Sequence, residues 1–363
     1  MWNSFPVFGY EGMIAETVGI TGHDGKPIRA YYSRPLGLES FPGIVLIPHM
    51  PGWDEWQRET ARRFTAHGYG VLCPNIYEDY GDGTPPEVAE RARNAGGVPD
   101  KSVMGDVAAS LAFLRSQPGA TGRVGVIFNL QNSIAMGPDF YKWSIMAELG
   151  LKICQLTYME PNLYGSGCLD KANGGLTYWG EQAVREMNRQ GIVVDLSHVG
   201  ERTSLEAIDA SSKPCIFSHS NSLTVCSTSN RNLTDEMIKN CAAKGGVICL
   251  NAHGFVCHKE VGVQGTLEDY MAHFEYLGEL VGPDHMGIGT DIFEYYTKQY
   301  WECKTKLLYN SPWMFETVFN RDMKRVDQYI NITRGLVALG FTDGDIEKIL
   351  GGSLMRVFGE VWR

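Results

Sequence analysis

The chain has no run of the eighteen or so apolar residues that a membrane-spanning helix requires, so an ordinary span is excluded and no membrane partner is expected. It has no Lys/Arg-rich stripe either. Its 32 basic residues face 42 acidic ones, for a formal net charge of -10 and a sequence pI near 5.4. That balance argues against nucleic acid or an anionic membrane surface as a main partner. Met1 to Tyr10 lacks a basic start followed by an apolar core, so no secretory leader is expected. No CxxC pair occurs among the nine cysteines, an odd number, and Cys73, Cys154, Cys215 and Cys249 lie inside apolar runs. This is the usage of reduced, buried thiols, and it points to a cytoplasmic protein without a redox or zinc-ribbon motif.

What is present is a globular composition, with 44% hydrophobic and 20% charged residues in 363 positions. That length holds two ordinary domains or one large barrel with additions. The chain is organised around Gly191 to Asn232. Two short apolar runs, Ile192-Val193-Val194 and Cys215-Ile216-Phe217, each reach Ser-His within a few residues, at His198 and His219. Between them Leu205 and Ile208 stand at helical spacing, so the unit reads strand, helix, strand. A parallel pair needs such a crossover, which brings both strand ends to one edge of a sheet. Neutral imidazole is a good zinc ligand, and two on neighbouring strands can share an ion. Taken singly each histidine reads as a hydrogen-bonded loop residue; the repeated Ser-His ending favours a site.

Taken in order, Ile14 to Ile20 and Pro27 to Ser33 alternate like paired strands around the turn Gly22-His23-Asp24-Gly25. Gly43 to Ile47, Tyr69 to Asn75 and Arg123 to Phe128 are apolar runs of the kind buried mid-sheet, with helical stretches between them. On PGIVLIPHMPGWDEWQRETARRFTAHGYGVLCPNIY, AGGVPD and LRSQPGATGRVGVIF, residues 1–128 resemble the first half of a dienelactone hydrolase family protein, an α/β-hydrolase. The resemblance implies a Gly-x-Cys-x-Gly nucleophile elbow after the last strand. Here Phe128 runs instead into Asn129-Leu130-Gln131-Asn132-Ser133, and an acyl-transfer triad cannot be assembled. His49, where some members carry a glutamate, reads as a remnant or a loop hydrogen-bonder.

From Asn129 onward five strand and helix alternations follow without a break, the pattern of most of a (β/α)8 barrel, with each candidate ligand at a strand's C-terminal end. The expectations are a helix burying Ile145, Met146 and Leu149, a capping box at Thr266 and Asp269, an aromatic-rich loop from Phe293 to Phe319 over the barrel mouth, and closing helices over Arg321 to Leu339 and Thr342 to Phe358.

The motifs LTYMEPN, GGLTYWGEQAVREMNRQGIVVDLSHVG, KPCIFSHSNS, SNRNLTDE, GGVICLNAHG, DHMGIGTD and KILGGSLMRVFG make residues 129–362 similar to the membrane (renal) dipeptidase family of metallopeptidases. The resemblance implies a (β/α)8 metallohydrolase that cleaves dipeptides with two zinc ions bridged by a carboxylate. By position, His198 and His219 match second-zinc histidines, and Arg231 the arginine that holds the substrate carboxylate. Asp291 matches the aspartate that meets the substrate amine and moves protons, and Tyr158 stands where mammalian members carry a histidine near the scissile carbonyl. A guanidinium can grip a carboxylate in two places, and a strand-end carboxylate can pair with an ammonium group or act as a base. Alone, Arg231 would read as a surface residue and Asp291 as a helix cap.

Two departures matter. The family's first-zinc His-x-Asp occurs nowhere in the chain, and the bridging glutamate falls at Gln131, a weak neutral ligand. The fold class expected is therefore α/β: an incomplete (β/α)8 barrel over 129–363 lacking its first strand, preceded by a partial α/β-hydrolase segment over 1–128, the two joined as a fusion. The function expected is metal-dependent hydrolysis of a dipeptide or related amide, impaired by loss of the first metal site, with zinc as cofactor and one ion at most. An esterase or lactonase of the dienelactone hydrolase type and a non-catalytic small-molecule-binding fusion remain as alternatives. The partners expected are a dipeptide-like small molecule and, as an open alternative, further copies of the chain.

Overall fold

The computed structural model describes residues 12–37, 40–48, 53–66, 68–125, 128–148, 150–258, 260, 263–292 and 318–362. The chain divides into two compact units, Met1–Val126 and Ile127–Arg363. His49 and residues 293–317 of the expected mouth loop lie outside the described residues.

The first unit is built on a five-stranded sheet in the order β1-β2-β4-β3-β5. β1 (Met13–Thr21) and β2 (Pro27–Pro35) form the expected antiparallel pair, in register from Met13 opposite Pro35 to Thr21 opposite Pro27. Asp24 and Gly25 turn the chain with φ of 52° and 77°. β3 (Phe41–Val45) lies parallel to both β4 (Gly70–Pro74) and β5 (Ala120–Gly125), while β2 and β4 are antiparallel. The connections carry α1 (Glu55–Ala66), α2 (Pro85–Asn94) and α3 (Asp100–Ser116). α2 begins at a capping box in which Thr84 and Glu87 satisfy each other's backbone N–H groups.

Among its described residues the second unit has six strands, all parallel and in strict chain order: β6 (Phe128–Leu130), β7 (Leu151–Gln155), β8 (Val193–Asp195), β9 (Ile216–Phe217), β10 (Val247–Leu250) and β11 (Met286–Ile288). Each strand lies beside its predecessor because a helical connection returns the chain to the same edge. These connections carry α4 (Tyr141–Glu148), α5 (Tyr178–Gln190), α6 (Glu201–Ala210), α7 (Asp235–Ala243), α8 (Gly254–Cys257) and α9 (Leu267–Leu280). Threonine hydroxyls cap three of them: Thr177 accepts from Gly180 N, Thr234 from Met237 N and Thr266 from Asp269 N. β8 and β10 are buried along their whole length, as strands covered on both faces must be. Helix side chains such as Met187, Ile238, Phe274 and Leu277 join Val194, Phe217 and Ile248 in one core. Each such burial is worth roughly 1.5–3 kcal/mol, so the core, more than the loops, fixes where the strand ends stand.

Three expectations are corrected. The apolar run Arg123 to Phe128 is not one strand: Ala120–Gly125 pairs with β3 in the first sheet, and Phe128–Leu130 pairs with β7 in the second. An unbroken apolar run has no periodicity with which to tell one strand from two. In α4 the fully buried side chain is Trp143, whose indole packs edge-on to Tyr164, while Ile145 is half exposed. The expected long closing helices are shorter: α10 (Ile330–Ala338), α11 (Asp343–Glu347) and α12 (Ser353–Val361), the last two separated by a wide π-type turn at Lys348–Gly352 where two glycines adjoin.

Candidate metal centre

Six adjacent parallel strands present their C-terminal ends in series, and the sequence-derived candidates follow those ends. Gln131 comes directly after β6, Tyr158 after β7, His198 after β8, His219 after β9 and Asp291 after β11. His198 and Asp291 have φ of 63° and 55°, two of the four non-glycine residues in the left-handed region among those described. Such conformations are costly and persist where the surroundings hold them in place.

The two imidazoles meet. His198 Nε2 and His219 Nε2 are 2.8 Å apart, with ring centroids at 4.8 Å, and both side chains are buried. Tyr158 stacks on His198, 4.3 Å between centroids and 28° between planes. His219 is held from behind: its backbone N–H donates to Ser197 Oγ at 2.9 Å, and its Nδ1 lies 2.7 Å from Ser218 Oγ. Burial, with the charge of Arg231 and the neighbouring His253 adding to it, holds the His219 imidazole well below the usual histidine range. It is therefore neutral at ordinary pH, the form that ligates metals.

Arg231 is buried, and its NH1 and NH2 groups donate to Ser220 Oγ at 2.7 Å and to the His219 carbonyl at 2.6 Å. Its Nε–H is buried without a hydrogen-bond partner among the described residues. Burial pulls its pKa down, but Cys168, Asp291, Asp195 and Tyr158 oppose that shift, and a guanidinium stays charged in proteins. Asp291 accepts from Asn251 Nδ2 at 3.4 Å, and the same amide nitrogen is 3.4 Å from the His219 carbonyl. Asn251 therefore ties the end of β10 to both neighbouring strand ends. Gln131 stands apart from these contacts: its side chain is exposed, and its backbone oxygen accepts from Gln155 Nε2 at 3.0 Å.

The model of the membrane dipeptidase family, peptidase family M19, matches residues 107–298, more than half of the chain. The chain belongs to that family. The dienelactone hydrolase family model matches residues 28–128. A curated dipeptidase of Claviceps purpurea is 29% identical over 243 residues, 66% of this chain and 52% of its own length. The chain thus spans about half the length of the curated dipeptidases it matches first. Among solved structures, an amidohydrolase from Pseudomonas aeruginosa aligns with a TM-score of 0.62 at 25% identity, covering 89% of this chain and 97% of that one. A metallo peptidase from Rhodobacter sphaeroides, liganded with a phosphinate mimic of the dipeptide L-Ala-D-Ala, shares the fold with a TM-score of 0.56 at 21% identity, over 76% of this chain and 75% of that one.

Membrane dipeptidases are metallopeptidases, and the residues at the strand ends suit one ion. Tetrahedral zinc with bonds of 2.0–2.1 Å sets two imidazole nitrogens about 3.3 Å apart, so the Nε2 atoms at 2.8 Å need part by only about 0.5 Å. Among the described residues no group of three or more His, Cys, Asp or Glu that could hold a metal is assembled. The side chains that meet are the two imidazoles, and Gln131 is not among the side chains brought to them.

Three residues at these strand ends escape sequence reasoning: Asp195, Asn251 and His253. His253 is buried, with Nε2 3.9 Å from Asp291 Oδ2 and its ring against Phe255 and Phe319. Its signal was available, because β10 runs into a histidine three residues past its end, as β8 does. Asp195 and Asn251 close apolar runs as the last or next polar residue, a place where a carboxylate or amide also serves plain turn geometry.

Proposed function

We propose that the chain is a metal-dependent hydrolase that cleaves a dipeptide or a related amide using a single divalent ion, zinc by family, held by His198 and His219. The convergence of the two Nε2 atoms beside a buried arginine carries this reading. The six-stranded arc is read as part of a (β/α)8 barrel, with its chemistry at the C-terminal strand ends. A bound divalent ion supplies a Lewis acid and lowers the pKa of water to near neutrality. Arg231 binds the substrate carboxylate through the N–H groups that its two protein hydrogen bonds leave over. Asp291, steadied by Asn251, pairs with the substrate ammonium group and accepts or returns a proton. Tyr158 packs against His198 and faces the substrate from the β7 side. Turnover is slower than in two-metal relatives, because the His-x-Asp of the first metal site is missing from the sequence and Gln131 replaces the bridging carboxylate.

The test is zinc titration of chelator-treated protein, followed by dipeptide hydrolysis in the wild type and in His219→Ala. Uptake of one ion, slow metal-dependent hydrolysis, and loss of both in the variant are expected. Chelator-resistant hydrolysis, or failure to retain zinc, would overturn the metal reading; uptake of two ions with rapid turnover would overturn the impairment.

A further inference from the structure

We propose that Asp195, acting through the Ser218 hydroxyl, fixes His219 as the Nδ1–H tautomer and so leaves its Nε2 lone pair facing the site before any ion arrives. This deepens the metal-site reading and rests on it. Asp195 is the last residue of β8 and is buried. Its Oδ1 accepts the backbone N–H groups of Ser197 and Ser218, each at 3.0 Å, and its Oδ2 accepts from Ser218 Oγ at 2.6 Å. A hydroxyl has one proton to give. With that proton directed at the carboxylate, the Ser218 oxygen can only accept from its other neighbours, Ser197 Oγ at 3.3 Å and His219 Nδ1 at 2.7 Å. Nδ1 therefore carries the imidazole proton, and Nε2 is unprotonated. His198 Nε2, 2.8 Å away, then supplies the proton shared between the rings, so the two histidines differ: His219 is a ready ligand, and His198 must move its proton to the other ring nitrogen to become one.

The same serines connect the arrangement to the substrate side. Ser197 Oγ accepts from His219 N–H and lies 3.2 Å from Ser220 Oγ, which accepts from Arg231. The buried carboxylate thus faces a buried guanidinium through a line of hydroxyls, which is why an aspartate can be kept at the end of a strand with no direct cation on it. Ser218 and Asp195 are positioning residues: neither is placed to touch substrate.

Asp195→Asn preserves shape but reverses the network. Its Oδ1 still accepts the two backbone N–H groups, its amide nitrogen donates to Ser218 Oγ, and the hydroxyl proton turns to His219 Nδ1, moving the imidazole proton to Nε2. Nitrogen NMR of metal-free protein labelled in its histidines, with His219 assigned from the signal lost in His219→Asn, reads this directly. The wild type is expected to show a protonated Nδ1 on His219 and Asp195→Asn a protonated Nε2, with zinc affinity lower by about 10–100-fold. Ser218→Ala is expected to weaken zinc similarly, and Ser218→Thr, which keeps the hydroxyl, to restore both tautomer and affinity, so the idea stays testable if Asp195→Asn fails to fold. A wild-type His219 protonated on Nε2, or a tautomer unchanged in Asp195→Asn and Ser218→Ala alike, would overturn it. Because the tautomer is read without metal or substrate, an absence of dipeptide hydrolysis would count against the proposed function alone.

Discussion

Arg231 is anchored twice by protein and still has N–H groups to offer, and that geometry makes lysine a poor substitute. An ammonium is a point charge without the planar fork, so it cannot hold the His219 carbonyl, Ser220 and a carboxylate together. Hydrogen bonds to a charged group contribute about 1.5–3 kcal/mol, so Arg231→Lys is expected to raise KM for a dipeptide by about 10–100-fold. The discriminating measurement is the preference for a free dipeptide over its C-terminal amide. It is expected to be strong in the wild type and largely lost in the variant, and an undiminished preference would remove Arg231 from carboxylate binding. At this scale the sequence was legible where a residue repeated a pattern: His198 and His219 share the Ser-His ending, and the structure joins them. Asp195 and Asn251 were hidden because their importance lies in hydrogen bonds between neighbouring strands, which no local spacing records.

The strand ends are brought close enough for that chemistry by tight backbone contacts, and Gly289 shows how tight they are. Its N–H donates to Leu250 O at 3.0 Å, and a Cβ at this position would collide with the Ser218 carbonyl oxygen and crowd Cys249. Ser218 is the residue whose hydroxyl stands between Asp195 and His219. Gly289→Ala is therefore expected to cost about 1–3 kcal/mol of stability and also to weaken zinc binding, since relief of the clash must shift the Ser218 backbone. Urea unfolding beside a zinc titration checks both; a stability loss with unchanged zinc affinity would show that β11 yields and Ser218 does not. Elements whose boundaries rest on local chemistry were the ones legible in advance, such as the β1–β2 hairpin and the Thr266 capping box of α9. Those decided by distant partners were not: the run ending at Phe128 splits between two sheets because β3 and β7 claim different parts of it.

For the unit as a whole, one residue that ties stability to pH is His273, fully buried on α9, whose Nδ1 accepts the Ser222 N–H at 3.3 Å and whose Nε2 has no hydrogen-bond partner among the described residues. Burial pushes it down to about 3 from the usual 6.5, with the charge of Asp269 opposing. In the unfolded chain the same ring titrates at its ordinary value, so between those two pH values the unfolded state binds more protons than the folded one. Stability contributed by the neutral ring is then complete above pH 6.5 and falls as the pH drops toward 3, by about 1.4 kcal/mol per pH unit. His219, depressed in the same direction by burial, adds to the slope in metal-free protein. The variant His273→Gln keeps an acceptor for Ser222 and removes the titration. Hydrogen exchange of the β9 and β10 amides, which belong to the same unit and exchange through its global opening, gives the opening free energy at a series of pH values below 6.5. After correction for intrinsic exchange, the wild type is expected to lose protection more steeply than His273→Gln by about 1.4 kcal/mol per pH unit. Equal slopes would mean that the ring finds a proton acceptor in the folded unit and is not held neutral by burial.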